Sequence, residues 1–228
     1  MVGSVAVVEK IQQRGHWTIS IRPAQYQPER LPFSRLESAI NTCVVRRRGW
    51  PVPFIDNRVA HQTGHNWVGQ DVDADSVDHY EAWRFYQSGQ FNHLRAVSAE
   101  WREGSEKTPV PPGFDAAIEV WEILYYLAEL FEFAGRLGVE VDSEAMTVSF
   151  QLQLRPNTAL VTGFTDLVEM EPRRIPENLP ERSITLPTEK LVAEYGPPAA
   201  EAARYFFERA NWFPTPQLLQ VLQRRLYQ

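Results

Sequence analysis

Gly113–Gly138, GFDAAIEVWEILYYLAELFEFAGRLG, is the stretch whose reading decides the fold. Phe114, Ala117, Ile118, Trp121, Leu124, Tyr125, Ala128 and Phe131 recur at spacings of three and four, which builds one apolar helix face. Val120, Ile123, Leu127, Leu130 and Leu137 build most of a second. Asp115, Glu119, Glu122 and Glu129, with Glu132 beside them, are left as a thin stripe for water. A helix this apolar is buried over most of its girth. Pro111 and Pro112 block any helix running into it, Asp115 suits its positive end, and Arg136 with Gly138 suits its close.

Such a helix needs a floor. Met146, Val148, Phe150, Leu152 and Leu154 alternate with polar residues, the period of a strand with one buried face. Pro156–Asn157 then turns the chain, and Ala159 to Phe164 is expected to return antiparallel. Upstream, Trp17, Ile19 and Ile21 alternate with Thr18, Ser20 and Arg22 in a strand over 16–22. Further strands are read at Cys43–Arg48, Asn66–Val72 and from Gln90 toward Trp101, with a strand or arm at 2–9. Short helices are read from Arg35 to Thr42 and from Asp75 or Ser76 to Tyr86 or Gln87, the latter with Tyr80 and Trp83 buried and Gly89 past its end. One-sided strands and a greasy helix together predict an α+β fold: an antiparallel sheet, a long buried helix packed across it, and a helical C-terminal extension. The boundaries read as a core at 1–170, a proline-rich, charged linker at 171–187 with a short strand Ser183–Leu186, and helices through 188–228. Within that tail, Thr215–Pro216 is an N-cap followed by proline in the first turn.

Composition narrows the function classes. A net charge of -6 disfavours broad electrostatic binding to nucleic acid or anionic lipid. The single cysteine, Cys43, forbids an internal disulfide and reads as a buried thiol. No apolar run approaches the roughly 18 residues of a membrane span, and no signal-peptide order opens the chain, so a cytoplasmic protein with no membrane partner is expected. Seven Trp, eight Tyr and twelve Phe suit cores and, after them, protein interfaces.

Motifs for chemistry are sparse. There is no G-x-S-x-G elbow, Walker loop or G-x-G-x-x-G, and no cofactor is called for. His61 and His65 stand four apart with Asp71 following, the raw material of a metal-dependent hydrolase, but Gly64 and turn-rich surroundings oppose the helix that would align them. Asp71, Asp73 and Asp75 lack the glycine and glutamate of a calcium loop. Arg46–Arg47–Arg48 with Trp50 is the basic, aromatic cluster: on a strand, Arg46 and Arg48 share a face, and guanidinium forks with a stacking indole suit an anion, nucleotide or nucleic acid. Trp212 and Phe213 in the tail are the candidate contact for a partner protein.

Tyr80–Phe91, YEAWRFYQSGQF, preceded by Arg48–Gly49–Trp50–Pro51, resembles a W-R-x-Y-x-S-G-Q-F pattern found in accessory regions of bacterial proteins, some of which carry an AlbA/Schlafen-type DNA-binding domain. The resemblance spans about residues 15–155 and brings no catalytic residues; no separate AlbA-like domain is identified in the chain. It implies a sensing or scaffolding module in a bacterial defence or stress system. The leading expectation is a non-enzymatic module that binds a partner protein; nucleic-acid contact through Arg46, Arg48 and Trp50 is the alternative. The oligomeric state is left open.

Overall fold

The computed structural model describes residues 3–74, 79–100, 108–163 and 170–225. Its frame is a seven-stranded antiparallel sheet ordered β10-β7-β1-β5-β4-β3-β2. The strands are β1 (His16–Pro23), β2 (Gln62–Thr63), β3 (Trp67–Ala74), β4 (His79–Tyr86), β5 (Phe91–Ala96), β7 (Ala145–Gln153) and β10 (Arg182–Pro187). Helix α3 (Val120–Glu140) lies across one face. Trp17, Ile19 and Ile21 on β1, and Val148, Phe150 and Leu152 on β7, join Leu127, Leu130 and Phe131 of α3 in one core. The alternation seen in the sequence is the alternation of the sheet: Ile19 stands opposite Phe150 and Ile21 opposite Val148, with Ser20 paired to Ser149 between them.

The predicted central helix starts late. Ala116–Glu119 is a strand, β6, and Glu119 in extended conformation is the N-cap of α3, which runs on to Glu140. β6 pairs in parallel with β8 (Thr158–Val161), and β8 pairs antiparallel with β9 (Arg173–Arg174), forming a separate three-stranded sheet. The return of residues 159–164 along β7 therefore does not occur; β7 is flanked by β1 and β10 instead. The 171–187 segment supplies β9 and the edge strand β10, whose Ser183 and Thr185 hydroxyls bond Ser149 and Thr147 at 2.7 and 2.9 Å.

Three local readings are corrected. Residues 79–86 form a strand where a helix was expected; Asp75 and Ser76, its expected cap, lie outside the described residues, as do Trp101 and Phe164. On β4, Glu81, Trp83 and Phe85 sit on the α3 side, while Tyr80 packs on the opposite face with Val7 and Ile11. A strand covered on both faces loses the alternation that marks a half-buried one. Gly89, at φ 82°, turns β4 into β5: its N–H donates to the Tyr86 carbonyl at 2.9 Å. The expected 2–9 strand is a helix, α1 (Gly3–Gln12), which covers the outer face over β3, β4 and β5. Cys43–Arg48 is likewise no strand: Cys43 ends α2 (Leu36–Cys43), and beyond it only Val45 pairs, with Val52.

The C-terminal helices α4 (Thr188–Glu194), α5 (Gly196–Arg209) and α6 (Pro216–Arg224) all pack against α3. Leu191, Phe206, Phe207 and Leu219 belong to the same core as α3, so the extension completes the helical layer. Thr215 caps α6 as expected, its hydroxyl accepting from the Leu218 N–H. Among the described residues no helix is long and apolar enough to cross a membrane.

Candidate functional site

Of the five carboxylates expected in water, Asp115 is exposed and the other four are inside. Glu119 and Glu129 are fully buried, and Glu122 and Glu132 nearly so. Burying an ionised carboxylate is costly unless charge and hydrogen bonds compensate it. Here the compensation comes largely from the segment 44–55, which runs between β4 and α3. Arg48 forks onto Glu129 at 3.0 and 2.5 Å, and Arg47 onto Glu132 at 2.8 and 3.0 Å. Arg136, one turn along α3, adds a 2.5 Å bond to Glu132. Burial would raise the Glu132 carboxyl, but its bonds to Arg47 and Arg136 outweigh that and hold it below the usual range. Glu122 accepts the Ser98 N–H at 2.9 Å.

The other margin of that segment meets a second buried network. The Phe54 N–H donates to Glu81 Oε1 at 2.6 Å, and the Trp83 indole N–H donates to the Phe54 carbonyl at 3.0 Å. Trp50 stacks on His79, ring centroids 4.4 Å apart and 10° from parallel. Glu81 Oε2 lies 2.9 Å from His79 Nε2 and 3.4 Å from His93 Nε2, and His93 Nδ1 is 3.0 Å from the Tyr126 hydroxyl. Arg95, opposite Glu81 in the β4–β5 register, sits over the Tyr126 ring at 4.7 Å. Burial would raise the Glu81 carboxyl; the surrounding imidazoles and the hydrogen bonds it accepts hold it low instead, so it stays ionised. Burial lowers His79 despite Glu81, so the neutral ring donates from Nε2 to the carboxylate. Burial also raises the Tyr126 hydroxyl, which remains protonated.

Carboxylate, imidazoles and phenol in sequence resemble acid–base machinery, but all of them are buried. Glu81 has no exposed surface, and His79, His93 and Tyr126 are at most 5% exposed. A cavity that touches the network, lined by Arg95, Glu122, Tyr126 and Arg48 among others, measures about 10 Å³, the room of one water. As arranged, the network is a lock that fixes β4, β5, α3 and segment 44–55 relative to one another.

The sequence candidates fare unevenly. Arg48 and Trp50 have their contacts inside the protein, on Glu129 and His79, while Arg46 is exposed. His61 turns to Glu37 at 3.3 Å and Asp71 to Arg84 at 2.7 Å, so they are not brought together, and among the described residues no three His, Cys, Asp or Glu are grouped to hold a metal. Cys43 is buried and, by desolvation, its thiol is pushed up to about 12, well away from thiolate chemistry. Trp212 is half-buried on Phe207, and Phe213 is 71% exposed. The residues that sequence reasoning missed are Glu81, His79, His93, Arg95 and Tyr126. Their signal was present: His79–Tyr80–Glu81 and His93–Leu94–Arg95 are i, i+2 pairs that share a face once both segments are strands. In comparisons with known proteins, no family model, no curated protein and no solved structure matches this chain.

Proposed function

We propose that this chain is a non-enzymatic binding module, a sensing or scaffolding unit that engages a partner protein. The observation that carries this reading is Phe213, a large aromatic side chain 71% exposed on a rigid corner between α5 and α6. The corner is held by its backbone. Asn211 adopts φ 56°, the Trp212 N–H donates to the Phe207 carbonyl at 2.9 Å, and Arg173 reaches the Asn211 carbonyl at 2.6 Å. A preorganised aromatic with little rotamer entropy to lose is the kind of side chain that anchors an interface. The burial of the acid–base groups supports the same reading: Glu81 is fully buried and His79, His93 and Tyr126 are at most 5% exposed, although the segment around His93 also lines a groove of about 410 Å³ with Val8, Thr18 and Ala82. The W-R-x-Y-x-S-G-Q-F resemblance suggests the setting, a bacterial defence or stress system.

The test is affinity capture from the native cell with the full chain and a Phe213→Ser variant of matched melting temperature. Loss of a stoichiometric co-purifying protein in the variant supports the reading; capture equal to the unaltered chain overturns the role of this corner. Deleting residues 188–228 is unsuitable, since Leu191, Phe206 and Phe207 belong to the core. The alternative, nucleic-acid contact through Arg46, Arg48 and Trp50, draws less support because Glu129 and His79 already hold two of the three. It predicts salt-dependent binding that an Arg46→Glu variant weakens.

A further inference from the structure

At the far end of α3 the surface changes character. A groove of about 480 Å³ opens between the last turn of α3 and the start of α4. It lies where the two helices touch through small residues: a Cβ on Gly138 would come within 2.6 Å of Thr188 Oγ1 and 2.9 Å of Met146 Cγ. Beyond that contact the helices leave two aliphatic side chains uncovered on the groove, Val139 at 64% and Val192 at 56% exposure. They are two of the few large hydrophobics exposed among the described residues, and they line the same opening. Scattered single exposures need no explanation, but two that flank one concave site mark a docking feature.

The charged residues that line it have one sign. Asp142 and Glu189 line the groove, no cation does, and neither carboxylate has an ion pair among the described residues. Asp142 is fixed by its backbone at φ 49°, its N–H donating to the Val139 carbonyl at 3.2 Å. Nearby, Arg30 donates to the Val141 and Asp142 carbonyls rather than to the Asp142 carboxylate.

From this geometry we infer that the groove docks a basic segment of a partner protein, one aliphatic side chain seated between Val139 and Val192 and flanking lysine or arginine residues on Asp142 and Glu189. The net charge of -6 and the acidic rim oppose two other occupants. A second copy would set like charges against each other, and an anionic lipid surface would be repelled. The site shares no residue with the Phe213 corner. It rests on the binding-module reading only in taking a protein as partner, and it can stand if that corner proves inert.

The test is a fluorescence-anisotropy titration of the full chain at low salt with a labelled peptide of about 12 residues alternating lysine and leucine, against a glutamate–leucine peptide of the same pattern. The lysine peptide is expected to bind and the glutamate peptide not to. Reversing two surface pairs in Asp142→Lys/Glu189→Lys should weaken the lysine peptide about tenfold. Val192→Ser should weaken it further than it weakens a lysine–serine peptide, and Phe213→Ser should leave it unchanged. All these positions are exposed, so matched melting curves verify that the fold is intact. Equal affinity in the charge-reversed variant, binding of both peptides alike, absence of binding at low salt, or loss of binding in Phe213→Ser would each overturn the proposal.

Discussion

The middle of α3 and its C-terminal end treat charge and apolar surface in opposite ways. Toward β4 and segment 44–55 the helix buries Glu129 and Glu132 and answers them with Arg48, Arg47 and Arg136. Toward α4 it leaves Val139 exposed near Asp142 and Glu189, which have no ion pair among the described residues. The middle uses its ionic groups to fix the fold; the C-terminal end keeps aliphatic surface uncovered beside carboxylates. One helix can therefore be structural along its middle and receptive at its close. What decides between them is which segments arrive from elsewhere in the chain.

The sharpest way to break that contrast is at the buried pair. Glu129→Ala should cost about 3–5 kcal/mol in urea unfolding, because it strands the Arg48 guanidinium without a counter-charge. Arg48→Met with Glu129→Leu should restore most of the loss, and a cost under about 1 kcal/mol for the single change would show that the pair is not what holds segment 44–55. Gly138→Ala, at the C-terminal end, pushes a methyl against Thr188 and Met146 and should cost about 1–3 kcal/mol by separating α4 from α3.

Acidification offers a smaller, graded effect. His79 has its proton affinity lowered in the folded chain, so below the ordinary histidine value of about 6.5 the unfolded chain binds the extra proton first. Stability is then full above that value and falls as pH drops through the folded value, by up to about 1.4 kcal/mol per pH unit. Urea midpoints between pH 7.5 and 5.5 should show this slope, and His79→Gln should flatten it. Glu81, held low, adds its own loss at more acidic pH, as its carboxylate is protonated. Smallest of all, Phe213→Ser should change stability by less than about 0.5 kcal/mol in a thermal melt. A larger loss would mean that the corner belongs to the core and not to a partner.

Much of the architecture was legible. Met146–Leu154 declared its buried face residue by residue, and Thr215–Pro216 marked the start of α6. Residues 79–86 misled because both faces of β4 are covered, one by α2 and segment 44–55 and one by α1, so Tyr80 and Trp83 three apart imitated a helix. The valine-rich run at 5–8 misled in the opposite sense, since α1 is short and draws its stability from docking on the sheet. The network escaped for a different reason. Spacing shows that Glu122, Glu129 and Glu132 share a stripe, but their partners are brought by long-range contacts: Arg48 is 81 positions from Glu129, and Arg47 is 85 from Glu132. No local pattern carries that information, and the same arginines read as a solvent-facing patch when taken alone.

Segment 44–55, with two prolines, a glycine and three successive arginines, has the composition of a pliable loop, yet it is stitched to α3 by two arginine forks and to β4 through Phe54. Its backbone amides at Val45, Val52 and Phe54 all have acceptors within 2.9 Å. In hydrogen–deuterium exchange these amides should trade their protons as slowly as those of the central strands, and release them only when α3 itself lifts from the sheet.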